Sequence, residues 1–283
     1  MHKKKKYALI LIFLSAAKLF SMDLTIIGGT GNFSFNNSSE TPIGDGTFGG
    51  NFFPISLVKV EDQLTDTFGY TATAERDYLL RNVLMCEMTI NSGFINLSVG
   101  PLFSLFNSKS TYIRPGVTTS IGLEFPGIFY VSFRGGATFG SIPENDYGLE
   151  TSCIAVGIWV PNVLNTLSLT TKKYSEFDTV FTQDELYRVC YRADIFAKNA
   201  PYTVSVEMGY QSLKREYFLT DEDMIRQIFL GFETNITVKP RLVFIFGAET
   251  PLFVWGKYPL IREKGKWYLR AYTGITWTKE AKS

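Results

Sequence analysis

Two-residue alternation of apolar and polar side chains constrains this chain more than any other feature. From Asp23 to Lys279 it reads as segments of roughly ten residues, many of them alternating. Arg114–Glu124 shows the pattern best. Val117, Thr119, Ile121 and Leu123 occupy one phase, and Arg114, Gly116, Thr118, Ser120, Gly122 and Glu124 the other. Successive side chains of a strand point to opposite faces, so this segment has one oily and one wet face. After Pro126-Gly127, Phe129, Val131 and Phe133 oppose Tyr130, Ser132 and Arg134 in the same way. A chain of such hairpins predicts an all-β fold: a closed antiparallel transmembrane β-barrel, oily outside and polar inside.

Turn signals near Asp62-Gln63, Asn91-Ser92-Gly93, Pro126-Gly127, Pro161-Asn162, Asn199-Ala200-Pro201 and Pro240 mark six hairpins, because Gly, Asn and Pro supply the angles of a reversal. A strand at 24–36 and a last one at 266–278 bring the expected total to about fourteen, the even count of bacterial single-chain barrels. Ten or twelve strands is the alternative: 48–60 and 66–80 alternate poorly, and Leu242–Phe246 is apolar on both phases. The opposite connections are longer and more polar: Asn36–Thr47, Arg76–Asn82, Asn107–Tyr112, Ser141–Glu150, Tyr174–Asp184, Tyr217–Met224 and Gly256–Gly265. Phe125, Phe129, Trp159, Tyr202 and Trp277 fall near the tight-turn end, where aromatic rings anchor at the headgroups.

Residues 1–21 read as a signal peptide. Lys3–Lys6 is basic, and the apolar stretch Tyr7–Ala17 falls short of the roughly 20 residues a helical span needs. Residues 22–283 then form a single barrel domain. Removing 1–21 takes five lysines and no acids, leaving 23 basic against 27 acidic residues. That balance lacks the basic footprint of a nucleic-acid partner. The three cysteines, Cys86, Cys153 and Cys190, are an odd number. Cys86 shares the apolar phase of Leu84, Met88 and Ile90. Cys153 and Cys190 lie two strands apart, about 10 Å, beyond disulfide reach.

Facing the oily phase to lipid turns Glu87, Arg114, Glu124, Arg134, Arg188, Arg192, Asp194, Glu207, Glu233 and Arg270 inward as candidate pore-lining residues. Charges inside a barrel must be paired or hydrated. The ten are five acids and five bases, so neither ion sign meets a strong field. Arg188 and Arg192, about 13 Å apart along their strand, are expected to line one strip that Asp194 continues. Inward Asn96, Ser98, Gly100, Gly122 and Ser168 leave room for water.

The only histidine is His2, within the expected leader. Imidazole acid–base chemistry and histidine metal sites are therefore not expected of the mature chain, and neither an enzyme nor a cofactor is anticipated. Gly28-Gly29-Thr30-Gly31 lacks dinucleotide-loop spacing.

With its leader, alternating strands and alternating loop lengths, the chain resembles Gram-negative and spirochaetal outer-membrane β-barrel proteins of porin type over about 22–279. Tyr272-Thr273-Gly274-Ile275-Thr276-Trp277 resembles the start of their C-terminal assembly signal, although a polar tail replaces the usual terminal aromatic. The lysine-rich leader ending Lys18-Leu19-Phe20-Ser21 resembles spirochaetal leaders. The resemblance implies a bacterial outer-membrane location. Its implied partners are outer-membrane lipid, the barrel-assembly machinery and small solutes, with no nucleic acid and the oligomeric state left open. The expected function is a weakly selective diffusion channel. One alternative is a closed barrel with structural or host-binding surface loops; a second is a secreted soluble β-sandwich.

Overall fold

The computed structural model describes residues 22–31, 53–76, 82–107, 111–142, 145–177, 181–196, 200–217, 223–256 and 270–279. Residues 1–21, where the leader is expected, lie outside this set. The fourteen strands are β1 (Asp23–Gly31), β2 (Phe53–Gln63), β3 (Phe68–Arg76), β4 (Asn82–Ser92), β5 (Ile95–Asn107), β6 (Thr111–Phe125), β7 (Phe129–Ile142), β8 (Asn145–Val160), β9 (Val163–Phe177), β10 (Phe181–Phe196), β11 (Tyr202–Tyr217), β12 (Asp223–Lys239), β13 (Leu242–Gly256) and β14 (Arg270–Trp277).

Each strand pairs antiparallel with its sequence neighbours, and β1 pairs β14 in register from Leu24–Trp277 to Gly31–Arg270. That last pairing closes the ring, leaves no sheet edge and replaces the sandwich alternative. The Thr25 and Thr276 hydroxyls meet at 3.0 Å across the seam, and the Lys279 amide donates to Asp23 Oδ1 at 2.5 Å just beyond it.

The six turns expected to be tight lie at the end that carries both termini. Gly127, with φ 72°, and Asn162, with φ 61°, supply the left-handed angles two of these reversals require. The turns also bond to one another: Trp159 N donates to Ile128 O at 2.9 Å, Phe196 N to Asn162 O at 2.8 Å and Thr237 N to Pro201 O at 2.6 Å. At the opposite end β7 runs to Ile142 and β8 starts at Asn145. The loop expected at Ser141–Glu150 is therefore mostly strand. The same holds for Tyr174–Asp184, where β9 reaches Phe177 and β10 starts at Phe181. There the two strands of each hairpin pair with each other beyond their outer neighbours, β7 with β8 to Ile142–Asn145 and β9 with β10 to Phe177–Phe181, so turn-type residues extend the hairpin instead of ending it.

The oily phase faces out. Ile121, Leu123, Val131, Phe133, Ile154, Val156, Leu167, Ile195, Val206, Met208, Leu230 and Phe232 are all exposed, from β6 round to β12, as one apolar belt. Such a belt in contact with water would be a very large hydrophobic patch; against lipid it is satisfied. Phe246 is exposed while Ile245 is buried, which settles the facing of the doubly apolar segment of β13. Cys86 is exposed on the belt, as its phase implies, and Cys153 and Cys190 sit on β8 and β10; all three are free. Trp159 departs from expectation. The inward phase of β8 runs through buried Ala155 and Gly157 to Trp159, which packs on Phe196 with ring centroids 5.4 Å apart. A headgroup anchor would need the opposite phase.

Candidate functional site in the barrel lumen

The inward side chains of β10–β14 form one ion-pair network. Alternation on β10 turns Arg188, Cys190, Arg192 and Asp194 to the same side, and antiparallel register sets Arg192 opposite Glu207 and Asp194 opposite Ser205. Arg192 binds three carboxylates: Asp194 at 2.7 Å, Glu207 at 2.7 Å and Glu233 at 2.8 Å. Arg188 binds Glu207 at 3.2 Å and Glu249 at 2.8 Å, and its guanidinium lies 3.8 Å from the centre of the Phe229 ring. Arg270 binds the other oxygen of Glu249 at 2.9 Å. The Tyr272 hydroxyl donates to Glu233 at 2.7 Å, and the Ser205 hydroxyl to Asp194 at 2.5 Å.

Glu207 thus bridges Arg188 and Arg192. The basic strip expected from their spacing is instead a neutralised ladder, because register supplies carboxylates from β11–β13 that spacing along β10 does not show. Glu249 is the residue that sequence reasoning missed. Its 8% exposure and its bonds to two arginines make it the hinge of the network. Its strand opens with the doubly apolar Leu242–Phe246, so no phase was assigned there.

Tyr272 reaches Glu233 by lying over Gly247, where a Cβ would overlap its ring. Gly247→Val is expected to displace the ring and lower stability by about 1–3 kcal/mol. Tyr272→Phe, which removes only the hydroxyl, should cost about 1 kcal/mol. A denaturant titration in lipid would measure both; equal losses would show that the glycine does not hold the ring in place.

The opposite wall carries a smaller cluster. Glu87 on β4, 2% exposed, pairs with Arg134 on β7 and accepts from the Thr118 hydroxyl at 3.1 Å. Beside it, Val83, Met85 and Leu102 form an inward apolar cluster. Arg114 lies on the same inward phase of β6, and Glu124 is exposed near the turn end. Eight of the ten expected residues therefore gather on two walls: Glu87 and Arg134 meet on one, and Arg188, Arg192, Asp194, Glu207, Glu233 and Arg270 join on the other.

Two further elements come from strands that alternate poorly. Lys59 and Glu61 on β2 pair at 2.7 Å. Glu75 on β3 pairs with Lys172 on β9 at 2.7 Å, across the lumen. Beside this contact lies a cavity of about 460 Å³ that Ile27, Leu57, Ser168, Arg192, Glu233 and Tyr272 help to line. A second cavity of about 690 Å³ opens at the turn end, next to Asp23, Asp62, Tyr70, Asn96 and Lys279. Among the described residues no group of acids and cysteines is arranged to hold a metal ion.

No protein-family model matches the chain, and no curated protein matches its sequence. Solved structures do. A Pseudomonas aeruginosa FadL homologue matches with a TM-score of 0.53 at 8% identity, over 92% of this chain and 90% of that one. The fold is that of an outer-membrane porin-like β-barrel. Also similar are a Salmonella typhi OmpF in complex with daunomycin (TM-score 0.45, 7% identity, 90% of this chain and 97% of that one) and the NanC porin (TM-score 0.41, 10% identity, 90% and 99%). At such identities the likeness of this porin-like barrel to them is one of fold.

Proposed function

We propose that the protein is a bacterial outer-membrane channel passing small solutes with weak charge selectivity. The observation that carries this reading is a charge-rich lumen inside an apolar-belted closed barrel, with the described arginines of β10 and β14 bound to carboxylates. A dry interior built only for stability gains little from such pairs, since apolar side chains of equal volume serve as well or better. A hydrated passage has a use for them: they keep the wall wettable and hold the field near zero. Fourteen strands also lie nearer the open, channel-forming end of the barrel range than the self-filled eight. In this reading residues 1–21 direct export and the turn end faces the periplasm.

A second reading is a closed barrel with a structural or surface-binding role. The inward Val83, Met85, Leu102 and Phe229, all buried, favour it by occupying lumen volume. Proteoliposome swelling separates the two. Vesicles with refolded protein should swell in isotonic monosaccharide faster than empty vesicles, while the protein resists carbonate extraction and migrates faster unheated. Empty-vesicle rates from folded protein would favour the closed barrel.

A further inference from the structure

We propose that the Glu75–Lys172 ion pair is a partition that divides the lumen into two lobes and sets the size of solute that passes. This rests on the channel reading and adds its size-determining element. The two residues sit on β3 and β9, six strands apart around the ring in one direction and eight in the other, close to diametrically opposed. A round ring of fourteen strands spaced about 4.8 Å and tilted about 40° would be about 28 Å across. An extended lysine and glutamate joined by an ion pair cover roughly half of that. Their contact at 2.7 Å therefore marks a level where the two walls approach.

The residues on either side of the contact fall into two groups. Among the described residues the 460 Å³ cavity is lined by β1–β3 and β9–β14, with apolar Ile27, Ile55 and Leu57 on one flank and the ion-pair network on the other. The Glu87–Arg134 pair, the Ser98–Ser120 contact and the Val83, Met85 and Leu102 cluster all belong to β4–β7. The strut stands between the groups. Both side chains are sheltered by their surroundings, Lys172 at 15% and Glu75 at 29% exposure. The cavity falls within the roughly 300–1,000 Å³ of small-molecule sites. It holds a single-ring solute, whereas a chain of several rings would have to cross the plane of the strut.

Replacing both members of a sheltered ion pair together leaves no unpaired charge and is often near neutral, and neither residue is needed for the strand ladder, so E75Q/K172M should fold. The test compares E75Q/K172M, the swapped pair E75K/K172E and the unaltered protein by single-channel conductance and by swelling in a mono- to tetrasaccharide series. E75Q/K172M should raise conductance roughly twofold, as the lobes merge, and admit longer sugars. The swapped pair should restore the original size limit. Geometry is read independently: with Cys86, Cys153 and Cys190 changed to alanine, Glu75→Cys and Lys172→Cys should be joined by a short bismaleimide. An unchanged size limit in E75Q/K172M, or a swapped pair that behaves like it, overturns the partition. No cross-link overturns it as well. A cross-link without conductance from any of the three proteins overturns the proposal through the channel reading on which it rests.

Discussion

Replacing Glu249 with alanine is expected to cost the folded barrel about 3–5 kcal/mol, among the largest effects of any single change in the lumen. Glu249 is 8% exposed and Arg270 5% exposed, so little water stands ready to replace the lost carboxylate. One oxygen binds Arg188 at 2.8 Å and the other Arg270 at 2.9 Å. Alanine removes an anion shared by two guanidinium groups and leaves both charges in a poorly hydrated place. Arg188 keeps Glu207 and the Gln211 side chain, at 3.2 and 3.0 Å. Glu249→Gln keeps an acceptor in position and should cost less than alanine. Urea titration of barrels refolded in lipid would measure the series. A loss below about 1 kcal/mol for alanine would place the network in water, with the worth of a surface ion pair.

Phe133→Arg is expected to cost about 2–4 kcal/mol, while Ser132→Arg stays close to neutral. Phe133 is 38% exposed on the belt and pairs with Ile121 and Ile154, both exposed apolar residues themselves. An arginine there puts its charge in hydrocarbon. Ser132, one residue away, faces the lumen beside Gly122 and Ala155. Adjacent positions thus give a contrast that depends on facing alone, because a one-residue slip would exchange the two outcomes. Refolding titrations of both variants in the same lipid would read it. Equal or reversed costs would contradict the assigned faces.

The alternation that betrays facing on β6 and β7 made most of the fold legible from sequence. On those strands the inward side is polar and the outward side oily, and the turns at Pro126-Gly127 and Pro161-Asn162 stand where expected. The same signal brought Glu87, Arg134 and the inward charges of β10–β12 and β14 into the barrel. It failed where the lumen is itself apolar. Ile27, Ile55 and Leu57 line the 460 Å³ cavity, so β1 and β2 show hydrophobic residues on both faces and the period of two disappears. Glu75 lies in 66–80, which alternates poorly, and Glu249 on a strand that begins apolar on both phases; Lys172 continues the inward phase of Ser168 and Thr170, but adjoining Lys173 gives the other phase a charge as well. The pairing of the charges was not legible at all. Spacing along one strand places Arg188 and Arg192 on a strip, but only register with β11–β13 reveals the carboxylates between them. Loop length was overestimated where polar residues such as Asn145 and Ser175 extend strands above the belt.

Single-channel recording from the refolded, heat-modifiable protein in a planar bilayer tests the central claim most directly. A channel whose lumen charges are paired within the wall should give discrete current steps. Its reversal potential should stay near zero across a salt gradient, even at low ionic strength, where screening is weakest. Folded protein that inserts without passing current would contradict the channel, and a strongly shifted reversal potential would contradict the neutral wall.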